Sequence, residues 1–120
     1  FSSDIASKLY GASDIFLMPS KFEPCGLSQI IAMTYGSIPI VRETGGLKDT
    51  VEAYNPETKT GRGFTFKTYN CYDMLDAVWR TNATYHDKDN WKAVTENAMS
   101  GDYGWDRSAR KYLAIYENIK

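Results

Sequence analysis

The chain has 120 residues, 42% of them hydrophobic and 24% charged, the balance of one ordinary globular domain with a single core. Fourteen Lys and Arg stand against fifteen Asp and Glu, and that net charge of −1 argues against binding nucleic acid, which needs a surplus of positive charge. No apolar run is long enough to cross a bilayer, His86 is the only histidine, and Cys25 and Cys71 are too few for a metal motif or a disulfide framework.

In chain order, Ser3 or Asp4 is expected to cap a helix through Ile5, Leu9 and Tyr10 that ends near Gly11. Ile15-Phe16-Leu17-Met18, stopped by Pro19, reads as a buried parallel strand. A helix from about Gly26 to Tyr35 follows, with Leu27, Ile30, Ile31 and Tyr35 as its apolar positions and Gly36 closing it. Ile38 to Val41 is a second strand, and Glu43-Thr44-Gly45-Gly46 turns into a short helical piece through Leu47 and Val51. The stretch from Tyr54 to Arg62 is a loop by its Asn, Pro, Thr and Gly content, and Gly63 to Phe66 is a third strand.

From Asn70 onward only helical patterns remain. Asn70 is expected to cap a helix with Leu75, Val78 and Trp79 facing inward. His86 falls in a polar stretch expected to be a solvated loop. A second helix around Trp91, Val94 and Ala98 ends near Gly101, and a third from about Asp106 carries Ala109, Tyr112, Leu113 and Tyr116 on one face. Strands alternating with helices over short connections predict an α/β fold: a partial Rossmann-like domain with a short parallel sheet flanked by helices, then an all-helical tail. The whole of residues 1–120 is expected to be a single domain, a fragment whose missing strands precede Phe1.

Ligands of such sheets bind at the carboxyl ends of the strands, so the loops after Met18 and Val41 are the candidate site. The first presents the Glu23 carboxylate, suited to accept hydrogen bonds from vicinal sugar hydroxyls. Gly26 permits close approach, and the N–H groups of Leu27 and Ser28 suit a phosphate. The second loop repeats the arrangement of strand, glycine pair (Gly45 and Gly46) and helix start. The plainer alternatives are that Glu23 merely caps a helix and that the glycine pair serves only a tight turn.

Phe22-Glu23-Pro24-Cys25-Gly26-Leu27-Ser28-Gln29, then Tyr35 to Arg42, then Thr44-Gly45-Gly46-Leu47-Lys48-Asp49-Thr50-Val51 is very similar to bacterial glycogen synthases and plant starch synthases. The similarity continues more loosely through Gly61 to Phe64 and the Gly104-Trp105-Asp106 helix. The resemblance implies the C-terminal half of a GT-B type retaining glucosyltransferase, with two Rossmann-like domains facing each other across a cleft. It implies ADP-glucose as donor substrate, an α-glucan (glycogen) acceptor, no cofactor and no metal, and a bacterial cytoplasmic setting. By motif position Glu23 would hold the glucose hydroxyls near the reaction centre. Cys25 and Gly26 would line the glucose, Leu27 and Ser28 would meet the diphosphate, and Thr44, Gly45 and Gly46 would contact the donor.

Many relatives in the wider superfamily carry a second glutamate eight residues after the first, to grip the nucleotide ribose. Here that position is Ile31, as is common in the glycogen and starch type. The family's diphosphate-clamping Lys and Arg and its acceptor-side motif would precede Phe1, so the chain alone is expected to be inactive. Its terminal helix is expected to pack on its own domain or to drive self-association. A non-catalytic nucleotide-sugar or glucan-binding module, a structural fragment, and sucrose synthase or a similar retaining enzyme are the competing readings.

Overall fold

The structure, a computed structural model, describes residues 2–119. Its elements run α1 (Ser3–Ala12), β1 (Ile15–Met18), α2 (Ser28–Thr34), β2 (Ile38–Arg42), α3 (Gly45–Thr50), β3 (Phe64–Phe66), α4 (Cys71–His86), α5 (Lys88–Met99) and α6 (Trp105–Asn118). The three strands form one parallel sheet in the order β1-β2-β3, with Met18 beside Val41 and Arg42 beside Phe66. This is the α/β arrangement of short parallel sheet and flanking helices that the alternating pattern predicts.

Central β2 is buried along Ile38 to Val41, because it is paired on both edges and covered by helices. Around it Met33, Leu47, Val51, Phe64, Phe66, Ala77, Val94 and Ala98 close one core. β1 differs from the expected buried strand: Ile15 and Leu17, which share one face, are exposed, while Phe16 and Met18 on the other face are partly covered. Tyr54 ties the following loop to α5 by donating its hydroxyl proton to Asn90 Oδ1 at 2.7 Å. Burial, helped by the nearby Asp87 charge, raises its phenol above the ordinary tyrosine range.

Helix ends follow capping chemistry. Ser2, rather than Ser3 or Asp4, caps α1 by accepting from the Ile5 N–H. Asn70 caps α4 as expected, its Oδ1 accepting from Tyr72 N and Asp73 N at 2.9 and 2.8 Å. The polar stretch around His86 is not a loop. His86 ends α4, and the single residue Asp87 links α4 to α5, capping the latter through the N–H groups of Asp89 and Asn90. Those hydrogen bonds, with one from the Asn90 amide first among them, hold the Asp87 carboxyl below its usual range.

Two helix faces are turned away from the expected ones. In α2 the buried residues are Gln29, Ala32 and Met33, while Leu27, Ile31 and Tyr35 are exposed. In α4 they are Ala77, Thr81 and Thr84, while Leu75 and Trp79 are exposed. The threonines can face inward because each hydroxyl donates to the carbonyl four residues back, Ala77 at 2.7 Å and Arg80 at 3.0 Å. The all-helical tail divides likewise: α4 and α5 pack on the sheet, whereas α6 has no buried residue and leaves Tyr112, Leu113 and Tyr116 exposed. The terminal helix therefore does not pack its apolar face on its own domain.

Candidate functional site

β1 and β2 are parallel neighbours, so the loops that follow them leave the same sheet edge side by side. They touch through backbone. The Gly46 N–H is shared between the carbonyls of Glu23 and Pro24, at 3.2 and 3.1 Å. A Cβ on Gly45 would lie 2.1 Å from the Glu23 carbonyl oxygen, and one on Gly46 would lie 2.2 Å from that of Cys25. Gly45 also has φ +45°, in the left-handed region. The glycine pair is therefore more than a tight turn: it is the surface on which the first loop rests.

Gly26 also has a positive φ, +70°, and a Cβ there would come within 2.7 Å of Gln29 Oε1. Beneath it lies Gln29, fully buried, whose Nε2 donates to the carbonyls of Cys25 (3.3 Å) and Gly26 (2.8 Å) and to Thr50 Oγ1 (3.1 Å). The expected helix start at Gly26 is displaced: α2 begins at Ser28, with Leu27 as its cap position and no side-chain cap. Leu27 and Ser28 thus lie at the junction of loop and helix. Among the described residues, the N–H groups of Glu23, Cys25, Gly26, Leu27 and Ser28 donate to no protein acceptor.

The local charges sort into engaged and free. Arg42 donates from Nε to the Ser20 carbonyl at 3.0 Å, from Nη2 to that of Lys21, and lies over the Tyr69 ring. Its guanidinium is committed to bracing the entry of the first loop. Glu43 accepts from the Thr65 hydroxyl at 2.8 Å, binding the second loop to β3. Glu23 is half-exposed, and among the described residues its carboxylate has neither a hydrogen bond nor an ion pair. The Thr44 side chain makes no cap hydrogen bond to α3, which it precedes, and the Cys25 thiol is free and exposed.

The structure thus brings together all eight residues singled out from the sequence: Glu23, Cys25, Gly26, Leu27, Ser28, Thr44, Gly45 and Gly46. They form an open rim of one carboxylate, the hydroxyls of Ser28 and Thr44, and the unpaired backbone N–H groups of the first loop. Such a rim can accept hydrogen bonds from hydroxyls and give them to anionic oxygens. Among the described residues no group of three His, Cys, Asp or Glu could hold a metal ion. A hollow of about 420 Å³ between α3 and the start of α6 mixes Asp49, Glu52 and Asp102 with Arg62, Arg107 and Lys111, and contains none of these eight.

Sequence reasoning passed over Gln29 and Thr50, which hold the rim from below. Gln29, Ala32 and Met33 stand at helical i, i+3, i+4 spacing, and that is the signal that marks Gln29 as inward-facing.

A family profile described as "Glycosyl transferases group 1" matches residues 2–98. The chain is 53% identical over 119 residues to a glycogen synthase of Clostridium novyi (strain NT) and 56% identical over 119 residues to one of Exiguobacterium sibiricum. Each alignment covers 99% of this chain and 25% of the relative, so the chain spans about a quarter of the length of the curated relatives it matches. The fold superposes on the catalytic domain of starch synthase IV from Arabidopsis thaliana, solved bound to ADP and acarbose. There the TM-score is 0.85 at 41% identity, over 98% of this chain and 25% of that one. A sucrose-phosphate synthase from Thermosynechococcus elongatus shares the fold at a TM-score of 0.66 and 24% identity, over 99% of this chain and 28% of that one.

Proposed function

The chain belongs to the group 1 glycosyl transferases, and from that premise we propose that it supplies the donor side of an α-glucan synthase. In this reading glucose passes from ADP-glucose to the non-reducing end of an α-1,4-glucan, with retention at the anomeric carbon. The observation that carries it is the rim itself: the Glu23 loop seated on Gly45 and Gly46, with its carbonyls turned into the protein and its N–H groups unpaired. The likeness to a starch synthase solved with ADP supports the nucleotide, and the glycogen synthase relatives support the polymer.

Each residue has a role in this proposal. Glu23 accepts hydrogen bonds from the glucose hydroxyls and orients the sugar as its bond to the diphosphate breaks. The backbone at Cys25 and Gly26 lines the glucose, the N–H groups of Leu27 and Ser28 meet the diphosphate, and Thr44, Gly45 and Gly46 border the donor. Preorganised N–H donors stabilise the negative charge that grows on the leaving phosphate without having to reorient. Arg42 is committed to carbonyls and so is not the diphosphate clamp in this reading, which assigns that clamp and the acceptor-binding half to the rest of a full-length synthase. The chain is thus one donor-side domain, and a cytoplasmic setting belongs to the same reading. The exposed face of α6 through Tyr112, Leu113 and Tyr116 is what would support self-association.

Glucose transfer onto glycogen by the full-length protein, with ADP-glucose and UDP-glucose compared, tests the reading. Transfer from ADP-glucose is expected, and none from residues 1–120 alone. No transfer from either donor by the full-length protein would instead favour a module that binds nucleotide sugar or glucan without chemistry.

A further inference from the structure

We propose that Gln29 is the positioning residue of the donor loop, setting which side of the loop backbone faces the ligand; this rests on the donor-site reading above. Six carbonyls of that loop are held from beneath by three donors. Arg42 takes Ser20 and Lys21 at the entry, and the Gly46 N–H takes Glu23 and Pro24 in the middle. Gln29 Nε2 takes Cys25 and Gly26 at the exit. A peptide whose carbonyl points inward presents the N–H of the next residue outward. Fixing the carbonyls of Cys25 and Gly26 therefore aims the N–H groups of Gly26 and Leu27 at the rim.

The chemistry of the Gln29 amide sets its orientation. Nε2 faces two carbonyl oxygens, which only accept, and Thr50 Oγ1, whose own proton goes to the Gly46 carbonyl at 2.7 Å. Turning the amide over would set its oxygen against three acceptors. The observed orientation leaves Oε1 buried without a hydrogen-bond partner, a costly arrangement that an apolar side chain of similar volume would avoid. Gln29 thus carries an unsatisfied atom in order to place its donors. Through Thr50 and Gly46 it also couples the exit of the first loop to the glycine pair of the second, so one buried amide sets the register of both.

A residue serving only the core would lower stability and leave donor affinity alone. For Gln29→Met, which keeps the length and removes both N–H donors, the expected result is a rise in donor KM of about tenfold or more with the glucan KM unchanged. Met33→Leu, on the same buried face of α2, is the control and is expected to leave the donor KM at its wild-type value. Should Gln29→Met fail to fold, Thr50 keeps the question open to measurement. Thr50→Val, which removes the third acceptor and the link to Gly46, is expected to raise the donor KM about two- to fivefold, and Thr50→Ser to restore it. An active wild type with unchanged donor KM in Gln29→Met, or in Thr50→Val where the former does not fold, overturns the positioning role alone. A wild type that neither binds ADP nor transfers glucose overturns the donor-site reading together with it.

Discussion

Glu23→Ala is expected to cut glucose transfer from ADP-glucose by about 10²- to 10³-fold, the scale of losing one preorganised polar contact to the reacting group. The same substitution is expected to leave stability within about 0.5 kcal/mol of wild type, as for surface changes that break no structural contact. The two halves of that expectation have one origin. Glu23 is half-exposed at a loop tip, and among the described residues its carboxylate has no partner, so nothing in the fold depends on it. Its backbone matters more to the structure, because its carbonyl accepts from Gly46. Initial rates on glycogen, read beside a thermal melt, separate the effects. A variant that keeps wild-type transfer removes Glu23 from the chemistry, and one that loses activity only in proportion to a lowered melting temperature assigns it to the fold.

Gly46→Ala is expected to damage both binding and stability. The added Cβ would sit 2.2 Å from the Cys25 carbonyl oxygen and 2.7 Å from its Cα, atoms of backbone that cannot swing aside as a side-chain tip can. Either the first loop lifts off the second or the start of α3 moves, and overpacking of this kind costs about 1–3 kcal/mol. Because the displaced atoms belong to the Glu23 loop, the donor KM should rise by about tenfold or more even at temperatures where the variant is folded. Thermal unfolding and donor titration on one preparation check this. A folded Gly46→Ala protein with wild-type donor KM would show that contact between the loops is irrelevant to binding.

Much of this arrangement is legible in the residues. The apolar runs Ile15 to Met18 and Ile38 to Val41, each cut off by turn-forming residues, mark parallel strands, and the loops after them share one sheet edge. Asn70 is readable as a cap because its side chain can satisfy free N–H groups at a helix start. Side-chain direction on α2 and α4 is less legible. Counting apolar residues places Leu27, Ile31, Leu75 and Trp79 inward, yet all four are exposed. Thr81 satisfies its hydroxyl within its own helix, and Gln29 finds acceptors in the adjoining loops, so polar residues take the buried face. The contact between the two glycine loops is also invisible to local pattern. It arises from the parallel pairing of β1 and β2 and becomes evident only when backbone from the first loop lies within reach of Gly45 and Gly46.

Amide hydrogen exchange of the full-length protein, with and without ADP, tests most directly whether these loops form the donor site. The N–H groups of Glu23, Cys25, Gly26, Leu27 and Ser28 in the first loop and of Gly45 in the second lack protein acceptors among the described residues, so a bound diphosphate should be what protects them. Slower exchange is predicted in peptides covering residues 22–28 and 44–47, with little change in α5 or α6. Protection that falls elsewhere while those two segments exchange as before would contradict the assignment.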